Sequence, residues 1–284
     1  MEIVRYLDAG RGPRAGIRDT AGVHELSVPS LAALLALPLA EIRDVAAEAA
    51  AAPAVAGEAT LLPPADGRME VWAAGVTYFR SREARLEESG GADFYDRVYH
   101  AQRPELFFKS VPWRVVTHGQ PIAVRRDSAL NVPEAELAIV VNSSAEIVGY
   151  TICDDVSSRT IEAENPLYLP QAKIYAGACA VAPVIRPAWE ISAADLSISL
   201  EISRAGAVAW SGRTSTSQIK RPLRELVDCL FAEQPFPDGA IISTGTGIVP
   251  EITFTLAPGD TVTIEIDQVG VLANTVVAGK DAFT

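Results

Sequence analysis

The sequence predicts a mixed α/β (α+β) chain in which a β-rich main body, residues 68–284, follows a small N-terminal unit, residues 1–67. Three observations carry this. The apolar segments 137–141, 147–153, 196–202 and 262–266 are short and rich in β-branched side chains, which suits strands rather than helices. They alternate with turn sequences such as Asn142-Ser143-Ser144 and Phe236-Pro237-Asp238-Gly239. Pro63-Pro64-Ala65-Asp66-Gly67 reads as a turn and marks a boundary ahead of the main body.

In the first unit, residues 1–7 and 23–26 read as strands around a glycine-rich turn at 10–16. Residues 31–37 and 42–52 read as helices interrupted at Pro38, and the alanine-rich stretch 46–54 as a helix end or linker. The unit shows no catalytic constellation and reads as a structural lid or interface domain. Residues 70–74 then form a short buried strand, and 75–78 lead into a charged helix over 81–88. A strand follows around 105–109. Beyond the strands 137–141 and 147–153, a helix over 156–164 has Ser157 or Ser158 as its cap, and Asn165-Pro166 ends it. Strands at 196–202 and 207–210, a helix at 223–232, a strand at 241–243 and a hairpin of 262–266 with 269–272 around Asp267-Gln268 complete the chain.

Composition narrows the function. With 284 residues, 49% of them hydrophobic, the chain has enough apolar material for one large core and a small appended unit. Its net charge of −12 and pI near 4.8 repel phosphate backbones and anionic membranes, so no nucleic-acid or membrane partner is expected. An anionic substrate needs a local metal or basic pocket instead. The three cysteines, Cys153, Cys179 and Cys229, form no CxxC pair and read as small buried hydrophobes rather than as a disulfide framework or zinc site. The start MEIVRYLDAG lacks the apolar region of a secretory signal, and no apolar run reaches the roughly 18 residues of a membrane span, so a reducing cytoplasm is expected. There are no internal repeats, and no P-loop or dinucleotide-binding glycine pattern.

The stretch 131–173 carries the chemistry. Residues two apart on a strand share a face, so Glu134 and Glu136 lie with Ala138 and Val140 on a side that turns apolar. Two carboxylates on a burying face must protonate or hold a cation. The next strand ends in Asp154-Asp155 and brings a third carboxylate. Three hard oxygen ligands suit Mg²⁺, Mn²⁺ or Ca²⁺ better than zinc. Each half has a plainer reading: Glu-x-Glu on a strand is usually solvated, and Asp-Asp before Ser-Ser is a common helix cap. It is their conjunction that marks a site.

Other candidates surround it. Glu105 precedes Phe107 and Phe108, and a carboxylate among aromatic rings has a raised pKa suited to proton transfer, although glutamates are mostly surface residues. Arg159, four residues after Asp155, is placed to bond that carboxylate or a substrate. A lone lysine such as Lys173 is nearly always solvated, yet an apolar run, 174–185, follows it. The turn Thr244-Gly245-Thr246-Gly247 presents amides and hydroxyls that can bind a carboxylate. His118 reads as structural, in a Thr-His-Gly-Gln turn, and His24 and His100 have no ligand pattern around them.

Glu134-x-Glu136, Asp155-Val156-Ser157-x-Arg159 and Lys173 together resemble the fumarylacetoacetate hydrolase superfamily. The segments VWAAGVTYFRSREAR, RPELFFK, HGQPIAVRRDS, EAENPLYLPQAKIYAG and PDGAIISTGTGIVP resemble in particular its members that dehydrate 2-keto-3-deoxy sugar acids. The likeness covers most of residues 68–270 and is weak over the first sixty or so. It implies a β-roll catalytic domain behind the small N-terminal domain. It also implies Mg²⁺ (or Mn²⁺ or Ca²⁺) on Glu134, Glu136 and Asp155, with Lys173, Glu105 and Glu83 as catalytic residues. Tyr78, Arg159 and Thr246 would bind the substrate, a small-molecule 2-keto acid. The implied reaction takes 2-keto-3-deoxy-D-arabinonate to the semialdehyde of 2-oxoglutarate through a metal-stabilised enolate, in a homodimer or homotetramer.

Two positions depart from the family pattern. The family's hydrolases carry a histidine after the tyrosine and use it with a glutamate to activate water. Here Tyr78 is followed by Phe79-Arg80-Ser81-Arg82-Glu83, with no histidine. Members commonly carry aspartate after the arginine, and here Thr160 follows Arg159, which leaves open how Arg159 is held. The second reading is therefore a C–C hydrolase of acylpyruvate- or fumarylacetoacetate-type diketo acids. A third, from another class, is a non-catalytic protein that binds keto acids such as pyruvate or oxalate without turning them over.

Overall fold

The computed structural model describes residues 1–57, 59–81, 83 and 94–283. Among these, eleven strands share one sheet. Its order is Gly22–Glu25 (β3), Gly12–Asp19 (β2), Glu2–Asp8 (β1), Val184–Pro187 (β13), Ile147–Asp155 (β10), Ala135–Val141 (β9), Ala240–Ser243 (β16), Glu70–Gly75 (β5) and Glu105–Ser110 (β6). Thr60–Leu62 (β4) adds to β1, and Cys179–Val181 (β12) adds to β10. A five-stranded sheet runs Ala207–Ser215 (β15), Ser197–Arg204 (β14), Thr261–Ile266 (β17), Gly270–Ala278 (β18) and Ile122–Val124 (β7). Ser157–Ser158 (β11) pairs with Asn131–Val132 (β8). The chain is thus mixed and rich in strands, as the sequence predicts.

Strand β9 is at the centre because both its faces are covered. Leu137, Ile139 and Val141 pack with Ile198, Leu200 and Ile264 of the five-stranded sheet and with Leu226. Leu226 lies on the helix Leu223–Phe231. Ala138 and Val140 pack on the other side with Ile3, Ile17, Leu31, Leu34 and Ile42 of the N-terminal segment. A strand covered on both faces reads as a continuous apolar run rather than an alternating one, as residues 137–141 do.

The N-terminal segment continues the large sheet, since β1 pairs with β13 through Ile3↔Ile185 and Val4↔Val184. Its helices Leu31–Leu35 and Leu39–Ala51 (α1 and α2) are separated at Pro38, as the sequence predicts. The turn at 63–67 also caps α1: Asp66 accepts the amides of Leu31 at 3.2 Å and Ala32 at 2.6 Å.

Several boundaries differ from the sequence reading. The glycine-rich stretch 10–16 is mostly strand. The turn closes early because Asp8 Oδ1 accepts the Gly10 and Arg11 amides, and residues from Gly12 onward pair with β1. The helix predicted over 156–164 begins only at Arg159 because Ser157 and Ser158 pair with β8, and Ser158 Oγ then accepts the Ile161 amide at 3.3 Å. The second arm of the final hairpin extends to Ala278 because β7 pairs with Val276, Val277 and Ala278. The charged helix predicted over 81–88 lies outside the described residues apart from Ser81 and Glu83. Cys153 and Cys179 are buried, whereas Cys229 is half-buried, with Arg103 Nη1 3.9 Å from its sulfur. Among the described residues, no helix is long and apolar enough to cross a membrane.

Candidate functional site

The antiparallel register of β9 with β10 assembles the carboxylates. Glu136 lies opposite Cys153, and Ala135 opposite Asp154. One step further along, the Asp155 amide donates to the Glu134 carbonyl at 3.1 Å. Glu134, Glu136 and Asp155 are all buried, and each offers an oxygen within 4.8 Å of the others. The adjacent Asp154 instead accepts the Glu134 amide at 3.0 Å, and burial pushes its carboxyl up to about 8. Glu136 accepts the Ser243 hydroxyl at 2.5 Å and the Gly245 amide at 2.7 Å. Burial, then the charges of Asp155 and Glu134, hold its carboxyl well above the usual range.

Three buried cations face this cluster. Lys173 Nζ donates to Glu134 Oε2 at 2.9 Å, Asp155 Oδ2 at 2.9 Å and Ser157 Oγ at 2.6 Å, so all three ammonium protons are used. It is 2% exposed, which removes the solvated reading. The short helix Leu169–Lys173 brings it in after Asn165-Pro166 ends the helix Arg159–Glu164. Arg159 Nη2 donates to Glu134 Oε1 at 2.9 Å, a carboxylate that its spacing from Asp155 does not point to. Thr160 has another task, accepting the Leu130 amide through its hydroxyl at 2.9 Å. The third cation is Lys109, whose Nζ meets Asp155 Oδ1.

Lys109 escaped the sequence reading, although a signal existed. Glu105, Phe107 and Lys109 alternate along β6 and so share the face that carries Glu105. Ser243 and Gly245 were also missed as partners of Glu136. A short polar residue ending an apolar strand says little until the partner strand is known.

Glu105, Phe107, Glu134, Arg159, Lys173 and Thr246 line one narrow cleft. Glu162, which the sequence did not single out, lines it too. The Lys173 ammonium lies 5.5 Å from the centre of the Phe107 ring. Thr246 Oγ1 accepts the Ile248 amide at 3.0 Å. Two other candidates are not among the lining residues. Tyr78 is 1% exposed beside the cleft, and its hydroxyl has no hydrogen-bond partner among the described residues. Burial, then the charge of Glu136, raises its pKa. Glu83 is 43% exposed and faces Arg80 at 3.7 Å. None of the three histidines lines the cleft.

Glycine is required at two points here. Gly75 pairs with Glu105 across the strands, and a Cβ there would collide with the Glu105 carboxylate. Gly245 has φ +86°, and a Cβ would collide with Thr77 Oγ1. Gly75→Ala therefore displaces the Glu105 carboxylate while its neighbours stay packed. If Glu105 takes part in proton transfer, the expected result is a kcat lower by about 10²-fold, the scale of a misplaced reacting group, with thermal unfolding little changed. An unchanged kcat would show that the Glu105 position does not matter.

The donor set fits a hard divalent cation. It offers three carboxylate oxygens and neither imidazole nor thiol, and it gathers like charges at a depth where they repel.

The chain matches the family model described as fumarylacetoacetate (FAA) hydrolase C-terminal over residues 71–277. It is 48% identical over 208 residues to a 2-dehydro-3-deoxy-D-arabinonate dehydratase of Saccharolobus solfataricus, covering 72% of this chain and 70% of that one. It is 49% identical over 208 residues to a probable 2-keto-3-deoxyxylonate dehydratase of Haloferax volcanii, covering 73% and 72%. A solved 2-keto-3-deoxy-D-arabinonate dehydratase, complexed with magnesium and 2,5-dioxopentanoate, superposes with a TM-score of 0.85 at 36% identity. That match spans 99% of this chain and 100% of the other.

Proposed function

Because the chain belongs to the fumarylacetoacetate hydrolase family, we propose that it is a hydro-lyase that dehydrates a 2-keto-3-deoxy sugar acid. The substrate of this reading is 2-keto-3-deoxy-D-arabinonate and the products are 2-oxoglutarate semialdehyde and water. The observation that carries it is one cleft lined by Glu134 of the buried three-carboxylate cluster, by Lys173 and by Glu105, with no histidine among its described lining residues.

Dehydration needs a proton taken from C3 and a proton given to the departing C4 hydroxyl. Tautomerisation then gives the aldehyde. Glu134, Glu136 and Asp155 would hold Mg²⁺, or Mn²⁺ in its place, and a cation there would supply Lewis-acid chemistry to the 2-keto acid. Lys173 and Glu105 divide the two proton transfers. The Lys173 amine is aimed by Glu134, Asp155 and Ser157, and the Glu105 carboxyl by its seat against Gly75. In this reading Arg159 and Thr246, which line the cleft, and the buried Tyr78 bind the substrate. Glu83 stands at the position where a hydrolase needs its water activator, yet it is turned toward Arg80 and off the cleft wall.

Residues 1–67 act in this reading as the small N-terminal domain of the enzyme and 68–284 as its catalytic domain. The protein works in the cytoplasm as a homodimer or homotetramer, and the exposed apolar side chains of Trp113, Leu167 and Ile252 are surfaces that a second copy would cover.

The test is a substrate panel with Mg²⁺ present. The dehydratase reading expects turnover of 2-keto-3-deoxy-D-arabinonate, or a close stereoisomer, with a product that an aldehyde reagent detects. Acylpyruvates should be cleaved slower by orders of magnitude. The opposite ranking of kcat/KM makes the protein a C–C hydrolase with Glu83 as water activator. Tight binding of pyruvate or oxalate with no turnover across the panel makes it a keto-acid binding protein.

A further inference from the structure

Lys109 is the one buried cation of the cluster for which the proposed reaction has no use. Its side chain is 0% exposed, and it is not among the residues lining the cleft. A buried ammonium is costly unless all its protons find acceptors. Two hydrogen bonds and one ion pair offset that cost here: Nζ donates to the Val156 carbonyl at 3.2 Å and to the Lys173 carbonyl at 2.6 Å, and it pairs with Asp155 Oδ1. Lys173 holds the other oxygen, Asp155 Oδ2, at 2.9 Å. The Asp155 carboxylate is therefore pinned from both sides by lysines, and one of those lysines also holds the backbone of the other.

We propose that Lys109 is a positioning residue for the metal centre. It fixes the Asp155 carboxylate and the main chain of Lys173 in a single frame reached from β6. One metal ligand and the proton-transferring amine thereby keep a constant spacing. The same strand carries Glu105 at its other end, so β6 positions the second proton-transfer group too. This inference rests on the assignment of a divalent cation to Glu134, Glu136 and Asp155.

The sign of the effect separates positioning from plain electrostatics. A lysine this close to a cation site repels the cation, so on charge alone Lys109→Met tightens metal binding. If Lys109 orients a ligand, its loss weakens binding, by about 10-fold to 100-fold on the scale of residues that orient metal ligands. Lys109→Arg keeps the charge but replaces three tetrahedral protons with a planar fork, and it too should bind at least about 10-fold more weakly.

The experiment is calorimetric titration of metal-free wild type, Lys109→Met and Lys109→Arg with Mg²⁺ and with Mn²⁺, each below its own melting temperature. Weaker binding in both variants is expected. Affinity equal to or tighter than wild type in Lys109→Met overturns the proposal. If that variant does not fold without metal, wild-type affinity in Lys109→Arg overturns it instead. A merely structural lysine would lower the melting temperature and leave the affinity of the folded protein unmoved, which also counts against positioning. Failure of the wild type itself to bind either ion is a different result, and sinks the metal assignment rather than the role of Lys109.

Discussion

EDTA treatment abolishes turnover, and Mg²⁺ or Mn²⁺ restores it, if the three carboxylates act as the geometry suggests. The argument starts from charge. Glu134 has Arg159 and Lys173 as partners, and Asp155 has both lysines, but the hydrogen-bond partners of Glu136 among the described residues are the neutral Ser243 hydroxyl and the Gly245 amide. Glu136 therefore bears most of the electrostatic cost, and its carboxyl is pushed well above the usual range, first by burial and then by Asp155 and Glu134. Protons compete with metal for this group. Mg²⁺ affinity should fall as pH drops through that raised value, starting above the range of an ordinary carboxylate.

The stability of the metal-free protein runs the opposite way. An acid whose folded pKa is raised binds more protons folded than unfolded. Stability then declines as pH rises from the unfolded value, about 4.3, toward the folded one. Glu136→Gln keeps an acceptor for Ser243 and Gly245 and removes the ionisable group. Its metal-free form should melt at or above wild type at neutral pH while its Mg²⁺ affinity falls by tenfold or more, on the order expected for a lost charged ligand. Calorimetry across pH, with melting curves alongside, measures both. Full turnover in a sample shown by elemental analysis to be metal-free would end the metal assignment.

Much of this site was legible because strand periodicity is local. The two-residue spacing of Glu134 and Glu136, and the end of the following strand at Asp155, needed only the adjacent hairpin to bring the three together. Lys173 was legible through a resemblance, since nothing in Gln171-Ala172-Lys173 separates a buried lysine from a solvated one. What stayed hidden depends on pairings between distant segments. Arg159 bonds Glu134, twenty-five positions away, and no helical spacing points there. Ser243 reaches Glu136 because β16 lies beside β9, and Lys109 reaches Asp155 although β6 lies four places from β10 in the sheet. The glycine-rich stretch 10–16 misled for the same reason, as its strand exists only through its ladder with β1.

Lys173→Met should lower kcat by about 10²-fold or more, the usual scale for a lost acid/base group. A solvated lysine would leave stability untouched, but this one is 2% exposed and bonded to two buried carboxylates. Removing it leaves charge uncompensated at depth, so the metal-free variant should also melt lower than wild type, and Mg²⁺ should recover part of the loss. Activity is therefore compared with Mg²⁺ saturating and the fold verified. The division of labour with Glu105 can be read from hydrogen exchange at C3 in deuterated water. If Lys173 is the base, Lys173→Met stops exchange of the C3 proton, whereas Glu105→Gln continues to exchange it but releases no water. The reverse pattern exchanges the two roles. Wild-type kcat in Lys173→Met would leave the lysine as a purely structural counter-charge to Glu134 and Asp155, and the proton transfers would need another carrier on the cleft wall, where among the described residues Glu162 is the remaining carboxyl outside the metal cluster and Glu105.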